Sequence, residues 1–268
     1  MFAPEGVYPA AGIFSVGHLI ALAISLVCVA AALRLTRRMT ERELRRMTLA
    51  FAVAVTALEV IKIVYKFSVC HVRAGDLNDW LPLYFCSLFI YYAWVSAFGG
   101  TRLTPYGDAF VGAGALTGGL AFLVYPTTSV TMVPIWHFLS LHSMLFHSMM
   151  VLTGLCYLRA GLFVPSRRGF WRYSAAFGVF ALPAIVINLI GAGRYNAMIL
   201  HDPYRLPRPL AAVAAVSPAL YTVVAIAAYI LVPYLVSLGV SALCFRSARR
   251  AGDAAEEPQD EKAKRPAV

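Results

Sequence analysis

The sequence predicts an all-α fold, a polytopic membrane helix bundle of about seven transmembrane helices over residues 1–245, with a short polar tail over 246–268. Three observations carry that prediction. Of the 268 residues, 60% are hydrophobic and only 13% are charged, with a mean hydropathy of +0.71; a soluble domain of this length carries about twice the charge. Seven apolar stretches (13–33, 47–68, 81–98, 108–125, 134–158, 170–192 and 214–243) each come close to the ~20 residues a helix needs to cross a bilayer. Lys and Arg cluster on alternate connections between those stretches, the pattern of a multi-pass protein in a cell membrane.

That clustering orients the bundle. Arg34, Arg37, Arg38, Arg42, Arg45 and Arg46 lie between the first two stretches, Arg102 before the fourth, and Arg159, Arg167, Arg168 and Arg172 before the sixth. With six more in the tail, 17 of the 23 basic residues share one side. Basic loops stay cytoplasmic, so the N-terminus is expected outside and the C-terminus inside. The same loops account for the net charge of +10 through anionic lipid headgroups, with no call for nucleic acid. The tail, rich in Ala, Pro and charges of both signs, reads as disordered and cytoplasmic.

Taken in order, the first stretch follows MFAPEGVYPAAG, which lacks a basic n-region, and reads as a retained helix. Its His18 lies in the outer third, where a bond to a neighbouring helix is the plain expectation. The second stretch carries Glu59 and Lys62, spaced to form an ion pair along one helix face, and Lys66 near its end. A pair at that depth faces protein or water. Two readings stand for it: a bridge that fixes helix packing, or a Lys62 that receives an anionic headgroup.

The third stretch opens as NDWLPLYFCSLFIYYAW, with Trp80 at the interface, Pro82 suited to a first helical turn and Cys86 six residues further in. The five cysteines show neither a disulfide nor a zinc-site spacing, and Cys28, Cys156 and Cys244 read as small apolar residues. In the fourth stretch Gly114 and Gly118 form a GxxxG, which close helix packing explains without a cofactor loop. The fifth, PIWHFLSLHSMLFHSMMVLTGLCYL, holds His137, His142 and His147. Polar groups at that depth default to a functional role. Spaced by five residues, successive imidazoles point ~140° apart on a helix, so the three cannot grip one metal ion. After the sixth stretch, Asn188, Arg194, Tyr195, Asn196, His201 and Asp202 crowd a Gly- and Pro-rich outer connection, read as a structured re-entrant or lid-like segment. The seventh stretch is scaffold.

LPLYFC in the third stretch, HSMMVLTGLCYL from His147 and NAMILHDP from Asn196 resemble the motifs of the YwaF family of bacterial integral membrane proteins. That family's pattern runs roughly L-P-L-H-x-C, then His before an apolar run, then N-Y-M-F-L; its vertebrate relatives are ether-phospholipid acyltransferases with a membrane Cys and His. The resemblance implies Cys86 as nucleophile, His147 as base and Asn196 as a polar site residue. Tyr84 stands where the family has histidine, and Ala197 where it has tyrosine. Depth favours a different base: counted from Trp80 and Trp136, Cys86 and His142 both lie ~9 Å in, whereas His147 lies ~16 Å in.

A thiol beside an imidazole can attack an ester and hold the acyl group as a thioester. The expectation is therefore a lipid acyltransferase, with no cofactor, moving a fatty acyl chain between phospholipids or onto a lysophospholipid. The chain would lie between the third and fifth helices. Two other classes stay open: a carrier or lipid-binding protein with a Glu59, Lys62 and His relay, and a bundle holding haem between His18 and His142 or His137.

Overall fold

The computed structural model describes residues 1–203 and 208–245. The tail over 246–268, expected to be disordered, lies outside the described residues. Every described element is helical: α1 (Val16–Leu35), α2 (Glu41–Ser68), α3 (Leu77–Trp80), α4 (Leu88–Phe98), α5 (Gly100–Ala109), α6 (Leu116–Val124), α7 (Phe138–Ala160), α8 (Arg167–Ile190), α9 (Arg208–Val216) and α10 (Pro218–Cys244). A π-helical stretch, Phe110–Ala115, joins α5 to α6 in one continuous rod. Among the described residues six helices are long and apolar enough to cross a membrane: α1, α2, the α5–α6 rod, α7, α8 and α10. The protein is a multi-pass membrane protein.

The third expected span differs. Only Leu88–Phe98 is helical there, 11 residues or ~16 Å, and residues 81–87 run irregularly. The sequence gives the cause. Pro82 pushes Leu81 out of the α region, and Leu81 sits at φ −70°, ψ 121° as the cap that ends α3. Arg45, at the start of α2, reaches Ser96, near the end of α4; α4 therefore runs antiparallel to α2 and, with 81–87, fills the seventh pass.

Helix ends follow their capping residues. Thr40 and Glu43 form a capping box at the start of α2. The ring of His137 accepts from the Leu139 amide and caps α7, so that helix starts at Phe138, four residues later than expected from the apolar run. Gly161, at φ 72°, closes it.

The α5–α6 rod and α7 make the centre. Their crossing depends on Gly119 and Gly154: a Cβ on the first would lie 2.8 Å from the His147 carbonyl oxygen, and one on the second 2.7 Å from Leu116 Cβ. The GxxxG pair does something else, since Gly118 faces Phe85 and Cys86 while Gly114 faces Phe110 of its own rod. The outer helices α1 and α10 turn Ile20, Ile24, Val27, Leu231 and Leu235 outward, as a lipid-facing surface requires.

Opposite the N-terminal end, Arg45 ties the bundle together. Its guanidinium donates to both carboxylate oxygens of buried Asp108, at 2.5 and 2.8 Å, and to the Ser96 carbonyl oxygen at 3.0 Å. Ser96 Oγ donates to Asp108 at 2.7 Å, and the Tyr157 hydroxyl sits 2.7 Å from Ser96 Oγ and 2.8 Å from Thr48 Oγ1. One network thus joins α2, α4, α5 and α7. Arg159 likewise donates to the Leu33 and Thr36 carbonyls at the end of α1. Two arginines assigned above to lipid headgroups are engaged by protein instead.

At the N-terminal end, residues 1–14 strap the bundle. Phe2 stacks on Phe138 at 4.9 Å, Glu5 pairs with Lys66, and the Ala3 carbonyl accepts from the Tyr65 hydroxyl at 2.6 Å.

Candidate functional site

Two stretches of irregular backbone meet inside the helical frame. Segment 81–87 is one, and the turn Asn196–Leu200 after α8 is the other; the Met198 amide donates to the Leu83 carbonyl at 3.0 Å. Non-helical backbone at membrane depth survives only where protein satisfies it, and here α8 and α10 do so. Buried Asn188 donates to the Ala197 carbonyl at 3.1 Å and accepts from the Ala197 amide at 2.7 Å. Tyr221, Thr222 and Tyr229 of α10 donate to the carbonyls of Ile199, Leu200 and Met198 at 2.7, 2.8 and 2.9 Å. Met198 and Ile199 both sit at φ 55°, a conformation that costs roughly 1–3 kcal/mol per residue and that is an outlier for a β-branched side chain. Such strain persists only where the surroundings over-determine it, as these six bonds do.

Cys86 lies in the turn that ends the first segment, one residue before Ser87, the position at which α4 begins. Its half-buried thiol points at α6, donating to the Gly118 carbonyl at 3.8 Å; a Cβ at Gly118 would come within 3.3 Å of the sulfur. Tyr84 donates to the Asn78 carbonyl at 3.1 Å, and the Asn78 side chain accepts from the Asn196 amide at 2.9 Å. Asn196 knots its own turn: its Oδ1 accepts from the His201 and Asp202 amides and its Nδ2 donates to the Asp202 carbonyl. A small cleft between these segments is lined by Leu77, Asn78, Leu83, Tyr84, Ile187 and Ala197.

The histidines divide into two kinds. In His18, Nδ1 accepts from the Phe14 amide, which leaves Nε2–H to donate to the Leu123 carbonyl at 3.0 Å. In His137, Nδ1 accepts from Leu139 and Nε2–H donates to Ala3 at 2.9 Å. Both rings are saturated, as the plain reading of His18 expected, and neither has a nitrogen to offer haem iron. His147 is different. Its Nδ1–H donates to the Ser143 carbonyl at 2.7 Å, which fixes the tautomer and leaves an Nε2 lone pair. That Nε2 is buried without a partner, and the ring lies flat on Phe122, centroids 3.7 Å apart and planes 6° apart. In His142 neither nitrogen has a hydrogen-bond partner; the Leu58 carbonyl and Lys62 of α2 face the ring. Lys62 pairs with Glu59 at 2.7 Å, as their spacing predicts.

Cys86 and His147 therefore lie against the same helix. Gly118 meets the thiol and Phe122, one turn and ~6 Å further along α6, meets the imidazole. They are not in hydrogen-bond contact. His142 is directed toward α2 and not toward the cysteine. The depth comparison that favoured His142 does not hold, because it gave Cys86 a helical rise that its irregular segment lacks and counted helical rise from Trp136, two residues before α7 begins. Sequence reasoning missed Ser143, Phe122 and Tyr229. Tyr229 is one of six hydroxyl-bearing residues in α10, and nothing in the sequence marked any of the three.

An all-helical, multi-pass bundle that clasps two irregular segments inside its frame defines an integral membrane protein. The TMEM164 family model matches residues 13–237, and the chain belongs to that family. The match spans all the segments on which the YwaF resemblance rested, and TMEM164 is the family it establishes. Comparison with curated proteins and with solved structures gave no match.

Proposed function

We propose that the protein is a lipid acyltransferase that carries an acyl chain on Cys86, taking it from a phospholipid and passing it to a lysophospholipid or a second lipid. The observation that carries the reading is the bare Nε2 lone pair of His147, on a ring held by Ser143 and stacked on Phe122 of the same helix that Cys86 contacts. An imidazole held at one nitrogen and free at the other is the arrangement of a general base. Nε2 takes the thiol proton as sulfur attacks the ester carbonyl. The thioester C–S bond forms, the ester C–O bond breaks, and the departing alkoxide takes the proton back from Nε2. An acceptor hydroxyl then reverses the sequence and frees the thiol. Closing the one-turn gap falls to substrate binding, since catalytic hydrogen bonds commonly tighten only in the bound complex.

Intact mass after incubation with phospholipid bearing a labelled acyl chain tests it. One hydroxylamine-sensitive acyl group is expected on the protein, lost in Cys86→Ser and kept in Cys156→Ser. Full transfer by Cys86→Ala membranes would return the cysteine to a packing role.

With 17 of the 23 Lys and Arg on the opposite side, we place the strapped N-terminal end on the outer side of the cell membrane. Cys70, beyond α2, is expected to react with a membrane-impermeant thiol reagent added to intact cells, while Cys244, exposed at the opposite end of α10, does not. Labelling of Cys244 alone inverts the orientation.

A further inference from the structure

Among the described residues His142 is the one buried imidazole whose ring has no hydrogen bond at either nitrogen. It is 7% exposed, yet one of its nitrogens must carry a hydrogen in either neutral tautomer. The Leu58 carbonyl faces the ring but outside hydrogen-bond geometry, and a buried donor left so is costly and rare in native structures. Across from it stands Lys62, whose ammonium has a single ion-pair partner, Glu59, and whose side chain keeps 21% exposure. The opening is toward lipid: Ile61 and Val64 on α2 and Leu141 and Leu145 on α7 are all exposed. Lys62 lies six residues inside the end of α2 and His142 four inside the start of α7, that is ~9 and ~6 Å below the helix ends, the level where headgroups give way to glycerol esters.

From this geometry we infer that Lys62 and His142 form a binding site for the phosphate of a phospholipid, entered from the membrane between α2 and α7. Phosphate oxygens accept from the imidazole N–H and from an ammonium hydrogen that Glu59 leaves free. Lys62 is a point charge suited to phosphate, and hydrogen bonds to an anion are stronger than neutral ones. Glu59 is then the competitor: it holds the ammonium in place when the site is empty and repels the incoming anion. This assignment rests on the lipid substrate proposed above and divides the two histidines, with His147 serving the reaction and His142 the headgroup.

Lipid retention separates it from the acyl-transfer reading, because it does not use Cys86. Full-length Cys86→Ala protein in detergent would be mixed with phosphatidylglycerol, with diacylglycerol of the same chains, or with glycerol 3-phosphate, and bound ligand read by native mass spectrometry. Phosphatidylglycerol is expected to be retained and the other two not. Lys62→Met and His142→Phe are each expected to weaken retention about tenfold, and Glu59→Gln to strengthen it by a similar factor. A packing-only role for the pair predicts no such gain, so folded Glu59→Gln with unchanged or weaker retention overturns the site. Equal retention of diacylglycerol overturns it too, and equal binding of glycerol 3-phosphate overturns the lipid as its ligand. Retention that follows these variants while Cys86 takes up no acyl group leaves the site standing and removes the enzyme.

Discussion

Replacing His147 by phenylalanine is expected to slow acylation of Cys86 by about 10²-fold or more while making the protein more stable. The rate follows from loss of the unpartnered imidazole that packs on the same helix as the thiol, and a positioned general base contributes about 10²–10⁴-fold. The opposite sign in stability follows from burial. His147 is 6% exposed with Nε2 unpartnered, and an orphaned buried polar atom costs about 1–3 kcal/mol that an apolar ring of similar shape avoids. Phenylalanine also keeps the flat stack on Phe122. Thermal unfolding and initial acylation rates on the same preparation give both readouts. A variant that loses rate and stability together points to misfolding. A full rate effect in His142→Ala, with none at position 147, makes the other histidine the base.

The second large effect is one of folding. Asp108→Ala is expected to lower stability by up to about 3–5 kcal/mol, since it leaves the Arg45 guanidinium only the exposed Glu41 and the Ser96 oxygens, and breaking a buried pair from one side costs far more than the pair is worth. Arg45 is only 20% exposed in its side chain and Asp108 7%. The double variant Arg45→Met, Asp108→Leu is expected to recover most of the loss, as apolar replacement of a buried pair commonly does. Unfolding midpoints in a fixed detergent compare the three. If the double variant is as weak as the single, the Ser96 and Tyr157 hydroxyls, and not the charge pair, hold this end together.

Hydropathy and charge make the bundle legible in the sequence because both are averages over many residues. Six long helices and the Glu59–Lys62 pair need only composition and the helical period. The irregular third span escapes such averaging: LPLYFCS is as apolar as a helix, and only Pro82 records that its hydrogen bonds go to Met198 and Tyr91 instead. Asp108 was legible in principle, as a lone acid in an apolar run requires a partner. Its partner, Arg45, is hidden among five similar arginines that face the same way along the chain. The split among the histidines could not be read at all, because whether an imidazole is saturated depends on backbone carbonyls and amides that every sequence has.

The π-helical stretch has a consequence for the phase of the rod it interrupts. A π turn amounts to one residue inserted into an α-helix, and one residue is worth ~100° of rotation. The rod is clamped before the insertion by Asp108 on Arg45, and after it α6 presents Gly118 to the cysteine, Gly119 to the α7 backbone and Phe122 to the imidazole. Wound as an uninterrupted α-helix, the same sequence would stay helical and apolar yet swing those three contacts about a quarter turn out of line. The π turn between an acid and a glycine ten residues later thus sets which way the interior of the site faces, with no change in the chemistry of any side chain.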